Sequence, residues 1–170
     1  MAKRNKNKAA NLVILVISLA MAAVSFIGLA CKFINQKTTL VGNSVTAEWN
    51  LSNWFDAIDS MKDANDIGNW QVARWLLIIT TVLLVVMLVM AVVKFFVRNS
   101  LIKWSTFAVS IVAAICGALF MVLTLVGCGA LSTGTLLASS IEYRANIGVY
   151  LFAIGAAVSG ISAAIMALRK

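Results

Sequence analysis

Hydrophobic side chains along this sequence gather into four long stretches that carry no charge, at residues 12–31, 75–93, 104–126 and 145–168. About 20 apolar residues in a helix cross roughly 30 Å of hydrocarbon. Helices also satisfy their own backbone hydrogen bonds where no water can reach. The pattern therefore predicts an all-α membrane protein, an antiparallel four-helix transmembrane bundle forming one domain over residues 1–170. The first stretch is longer than the roughly 7–15 apolar residues of a signal peptide, so it is expected to remain as an anchor.

Residues 32–73 form a long loop with patterns of its own. Thr38–Val41 and Ser44–Trp49 flank Gly42-Asn43, the arrangement of a β-hairpin with glycine first in a two-residue turn. Between Ser52 and Met61, Trp54, Ile58 and Met61 fall on one helical face beside Phe55, with Asn53 placed as the cap. Asp56, Asp59, Asp63 and Asp66 follow another face, so an amphipathic helix is expected. Residues 63–68 resemble the start of a calcium loop. However, Ile67 occupies a ligand position and Arg74 stands where a bidentate glutamate belongs. The acidic row is thus expected to be a solvated face, with no metal. Residues 127–144 are rich in small side chains, and part of them is expected to extend the third helix.

Charge orients the chain. Lys3, Arg4, Lys6, Lys8, Lys94, Arg98, Lys103, Arg169 and Lys170 lie at one end of the stretches, with no carboxylate beside them. The other end holds five cations and all six acids, so the two sides carry +9 and −1 and together give the formal +8. By the positive-inside rule both termini are cytoplasmic and residues 32–73 are outside, in a multi-pass protein of the plasma membrane. Trp70, Trp75, Tyr143 and Tyr150 mark the outer boundary, and Phe95, Phe96 and Trp104 the inner one. Partners expected from this pattern are the lipid bilayer and other membrane proteins or a second copy. Nucleic acid is not among them, because no basic domain exists to carry it.

Helices in lipid associate through small residues and a few hydrogen bonds. Gly155, Ser159, Ala163 and Ala167 recur every four residues in the fourth stretch; the third has Ser110, Ala114 and Ala118, and the first Ser18, Ala22, Ser25 and Gly28. The second offers little besides Ala91, so it is expected to face lipid more than the others. Gly155, Ser159 and Ala163 are candidate contact residues, as are the loop aromatics Trp49, Trp54 and Phe55, which suit interface anchors. Cys31 and Cys128 both lie near the outer face and are a possible disulfide, provided their Cα atoms come within about 7 Å. Cys116 falls mid-stretch, as core.

Chemistry is sparse. The chain has no histidine, the commonest general base and metal ligand. No Asp, Glu, Lys, Arg or His falls inside any stretch, where membrane enzymes and ion-coupled pumps place theirs. No Gly-x-Ser-x-Gly elbow is present. The expected function is therefore non-enzymatic and without cofactors: a structural, adhesion or accessory protein acting through lateral helix contacts and a folded outer loop. The alternative is a small oligomeric channel or facilitator lined by Ser18, Ser25, Thr80, Thr81, Ser110 or Thr124.

Local text adds a resemblance. Gly42-Asn43-Ser44-Val45-Thr46-Ala47 followed by Trp49 and Trp54, then Asp59-Ser60-Met61, Gln71-Val72-Ala73-Arg74 and Gly148-Val149-Tyr150, is similar to elements of the claudin and peripheral-myelin-protein superfamily. The resemblance implies four spans, both ends inside, a large first outer loop with strands and a short second loop. The chain departs from that family in having no cysteine between Lys32 and Arg74, and Asn53 where a Gly-Leu-Trp motif has leucine.

Overall fold

A computed structural model describes residues 2–40, 43–61, 67–97, 99–136 and 139–169. The elements run α1 (Ala2–Ala30), β1 (Ile34–Leu40), β2 (Asn43–Trp49), α2 (Leu51–Ser60), α3 (Gly68–Phe96), α4 (Ser100–Leu131), β3 (Thr133–Leu136), β4 (Ser139–Ala145) and α5 (Ile147–Leu168). Four helical segments are long and apolar enough to cross a membrane: Ala9–Ala30, Gly68–Phe96, Ser100–Leu131 and Ile147–Leu168. Two of them overrun the apolar stretches. Asn69, Gln71 and Arg74 continue α3 at its start, and α4 runs on to Leu131. Hydrogen-bonded backbone tolerates polar side chains wherever water is near.

Small side chains set the centre of the bundle. In its apolar segment α5 is 56% buried, against 28% for α1, 28% for α3 and 33% for α4. It is flanked by α1 and α4, and α3 packs chiefly on α4. A Cβ at Gly155 would lie 2.7 Å from the Met21 carbonyl oxygen, and one at Gly160 would lie 2.6 Å from that of Ser110. Backbones approach this closely only where a side chain is missing. Across the α1–α5 seam Ser18 Oγ donates to the Ser159 carbonyl at 3.1 Å, and Ser159 Oγ returns a bond to the Ser18 carbonyl at 2.8 Å. These two bonds tie the helices while leaving neither hydroxyl unsatisfied. Leu15, Ala91 and Met166 close the far end.

The second stretch differs from expectation. α3 is buried to the same extent as α1, and Leu77, Thr80, Leu84, Met87 and Ala91 form its buried face. Leucine and methionine fill the α3–α4 contact by volume where α5 relies on close approach. Both solutions exclude lipid.

At one end sits a four-stranded antiparallel sheet in the order β2-β1-β4-β3. It corrects two expectations. β1 begins at Ile34 and pairs Leu40 with Asn43, so Asn43 is a strand residue, and Gly42 lies outside the described residues. The second loop also contributes β4, which pairs with β1 from Ile34↔Ala145 to Leu40↔Ser139. Helix α2 is capped by Asn50, whose side chain accepts from the Asn53 N–H at 2.9 Å; Asn53 therefore sits inside the helix. Asp63 and Asp66 lie outside the described residues.

Candidate interaction surface on the cap

The two helix–strand junctions are stitched to each other. Phe33 donates its N–H to the Trp49 carbonyl at 2.7 Å and accepts from the Asn146 N–H at 2.7 Å. Gly148 donates to the Lys32 carbonyl at 2.9 Å, an approach its missing Cβ permits. Asn146 closes the corner by donating its side-chain amide to Asn35 Oδ1 at 2.8 Å while capping α5. The sheet thus continues α1 and α5 directly, and with α2 it makes up the cap of the molecule.

Alternation then separates the two faces of the sheet. Ile34, Gln36, Thr38 and Leu40 share one face with Trp49, Ala47, Val45 and Asn43 of β2 and with Ala145, Tyr143 and Ile141 of β4. Near the junctions this face is buried through Ile34 and Tyr143. The opposite face is polar, with Lys37 paired across from Glu142, and Glu142 in an ion pair of 2.6 Å with Arg144.

Between sheet, α2 and helices lies an aromatic cluster. Trp54 stacks on Phe33 at 5.8 Å and meets the edges of Trp70 and Phe120 at 6.1 and 6.3 Å. Trp70 contacts Tyr143 at 5.3 Å, and Trp49 contacts Tyr143 at 5.6 Å. Trp70 also lies across Gly127, which a Cβ there would prevent, and donates its indole N–H to the Thr124 carbonyl at 3.4 Å. Each such pair adds about 0.5–1.5 kcal/mol beyond area burial. Desolvation in this cluster raises the Tyr143 phenol above its ordinary value of 10.0.

Several expected contact residues are therefore internal. Trp54 is fully buried and Trp49 half-buried, because both belong to the cluster that holds the cap down. Phe55 is half-buried beneath the Arg74 guanidinium, 4.7 Å from its ring centroid. Gly155, Ser159 and Ala163 are all buried within the bundle, so the small-residue row serves packing between the helices of one copy. Trp70 and Tyr143, expected as boundary markers, are buried as well. Cys31 and Cys128 are free thiols, as is Cys116. The physical reason is that α5 stands between α1 and α4, and Cys128 is turned into the bundle.

The hydroxyl residues are also packed. Ser18, Ser25, Thr80, Ser110 and Thr124 are fully buried, and Thr81 half-buried. Ser110 and Thr124 donate to carbonyls one turn back at 2.6 and 2.8 Å, as does Ser25 at 3.3 Å. Thr80 Oγ1 has no partner among the described residues.

Exposure concentrates on the distal part of the cap. Residues 43–48 of β2 are all exposed, Val45 by 69%, and Leu40, its diagonal neighbour on the same sheet face, by 57%. β2 is also the sheet's outer strand, so one row of its backbone N–H and C=O groups has no strand partner among the described residues. Sequence reading placed the hairpin but passed over this surface, because Leu40 and Val45 read as ordinary strand residues.

No family model matches the chain, and no curated protein is significantly similar to it.

Proposed function

We propose that this protein is a non-enzymatic, multi-pass protein of the plasma membrane whose four apolar helices form an antiparallel bundle, with both termini in the cytoplasm and the cap outside. Its work is to present the cap to another membrane protein or to a second copy of itself. The charge asymmetry of +9 against −1 supports the orientation. One observation carries the functional reading: an outer strand exposed over residues 43–48, on a sheet that is itself anchored by buried aromatics. A rigid scaffold with an open, partly apolar strand is suited to strand addition, in which backbone bonds give affinity and alternate side chains give selectivity.

The claudin-like layout supports the same reading. In place of the family's loop cysteines, the aromatic cluster would supply the rigidity. The packed hydroxyls favour contact-making over conduction through a single copy.

The test is in-cell photocrosslinking from residue 45, with residue 85 on the lipid-exposed face of α3 as control. Discrete adducts at the cap that vanish when Thr46 is changed to Pro are expected, because proline removes a strand donor. Adducts from residue 85 alone would overturn the reading.

A further inference from the structure

At the end of the bundle away from the sheet, two lysines continue faces that are otherwise buried. On α3 the buried face runs through Leu77, Thr80, Leu84, Met87 and Ala91, and Lys94 stands three residues further on. On α4 it runs back from Ser110 to Thr106, and Lys103 stands three residues before that. Steps of three and four keep to one helical face, so each interior stripe ends in a cation. Both lysines are half-buried.

Packing brings them to one level. Ala91 clusters with Leu15 and Met166, and a Cβ at Gly160 would meet the Ser110 carbonyl. With consecutive spans antiparallel, as proposed above, Lys103 lies two turns from Ser110 and beside the last turn of α5, and Lys94 lies one turn beyond the Ala91–Met166 contact. The chain supplies little to balance their charge. Lys94 has no hydrogen-bond or ion-pair partner among the described residues, and the Lys103 ammonium meets only the Trp104 ring, 5.5 Å from its centroid. All six acidic side chains lie at residues 48–66 or at 142, next to the other ends of the helices.

The positive-inside rule accounts for cations anywhere at this end, but not for two on interior stripes. A half-buried charge without a counter-charge costs free energy, which a phosphate from outside would remove. Helix α4 begins at Ser100, between the two lysines in the chain, and a helix N-terminus favours an anion. Trp104, 57% exposed, stands next to Lys103, as interfacial tryptophans do beside headgroups.

We propose that Lys94 and Lys103 together hold the phosphate of an anionic phospholipid from the cytoplasmic leaflet, with Trp104 along its first acyl carbons. The assignment rests on the bilayer reading above.

The test uses the full chain in mild detergent, titrated with phosphatidylglycerol and with phosphatidylcholine of identical acyl chains, bound lipid being read by native mass spectrometry. A preference of about tenfold for the glycerol lipid is expected, the scale of one charge-assisted hydrogen bond. Lys94→Gln and Lys103→Gln should each remove most of that preference, and either suffices if the other fails to fold. Arg169→Gln removes an exposed cation at the same end and should leave the preference within about twofold. Equal binding of the two lipids by the wild type overturns the assignment. So does an Arg169→Gln loss as large as that of the lysine variants, which would mean diffuse attraction to the whole basic end. Soluble glycerophosphoglycerol binding as tightly as the lipid would also overturn it, in favour of a free phosphoester. Alkaline carbonate extraction checks the bilayer reading separately: a protein that resists extraction yet shows no lipid preference refutes the lysine site alone.

Discussion

Gly155→Ala should destabilise the bundle although alanine is the better helix former. A Cβ there would lie 2.7 Å from the Met21 carbonyl oxygen and 2.8 Å from the Ser25 backbone nitrogen, and closer still to Ser25 Oγ. Ordinary contact begins near 3.4 Å, so α1 must withdraw from α5 by about 0.7 Å. Both neighbours are backbone and cannot rotate away. Withdrawal loosens the seam holding the reciprocal Ser18–Ser159 bonds. Overpacking of this kind costs about 1–3 kcal/mol, which exceeds the roughly 1 kcal/mol of helix propensity that alanine brings. Gly155→Leu should be worse, since three further carbons have no room. The control is Gly129→Ala on α4, where nothing lies within 4 Å of the new methyl. There propensity acts alone, and the change should stabilise by about 0.4–1 kcal/mol. Thermal unfolding in detergent, followed by far-UV dichroism, measures both. At roughly 2–4 °C per kcal/mol for a chain of this size, the two variants should move in opposite directions. A Gly155→Ala protein at least as stable as Gly129→Ala would refute the close-packed seam.

Further outcomes follow from the same contacts. Thr80→Val removes a buried hydroxyl without a partner among the described residues and should be neutral or stabilising by up to about 1 kcal/mol, whereas Ser18→Ala deletes the bond from Ser18 Oγ to the Ser159 carbonyl, leaves Ser159 Oγ on the carbonyl of residue 18 and should cost about 0.5–1.5 kcal/mol, both read by thermal unfolding. Trp54→Ala empties the centre of the aromatic cluster and should cost about 3–5 kcal/mol, with cap amides losing protection in hydrogen exchange ahead of those in the helices. The Tyr143 phenol is raised by desolvation, so the unfolded chain ionises first: stability should be flat below about pH 10 and fall as pH rises through the folded value, and Tyr143→Phe should remove that decline in denaturation series. All three cysteines should take up an alkylating agent in unfolded, unreduced protein, as intact mass will report.

The helices were legible because each apolar run exceeds what any other element requires. Their ends were less so: Asn69, Gln71 and Arg74 continue α3 although they do not belong to an apolar run. Strand β4 was written in the sequence too, with Ile141, Tyr143 and Ala145 alternating against Ser140, Glu142 and Arg144. Small residues nearby masked that alternation. Its pairing with β1 was not legible, since nothing local links residue 34 to residue 145. The loop aromatics show a different limit. Periodicity placed Trp54 and Ile58 on one face of α2, as found, but a helix's apolar face has the same pattern whether it meets a partner or its own core. Burial by the sheet decided it. Likewise Gly155, Ser159 and Ala163 announced a close-packed row without saying which helix would fill it.

In the proposed topology the cap and the α3–α4 connection lie on opposite sides of a membrane. Single cysteines at Ser44, in β2, and at Ser100, at the start of α4, would test it in a chain whose native cysteines are replaced by alanine. With a membrane-impermeant maleimide on intact cells, the residue 44 variant should be labelled at once and the residue 100 variant only after permeabilisation. Labelling of both from the same side would contradict it.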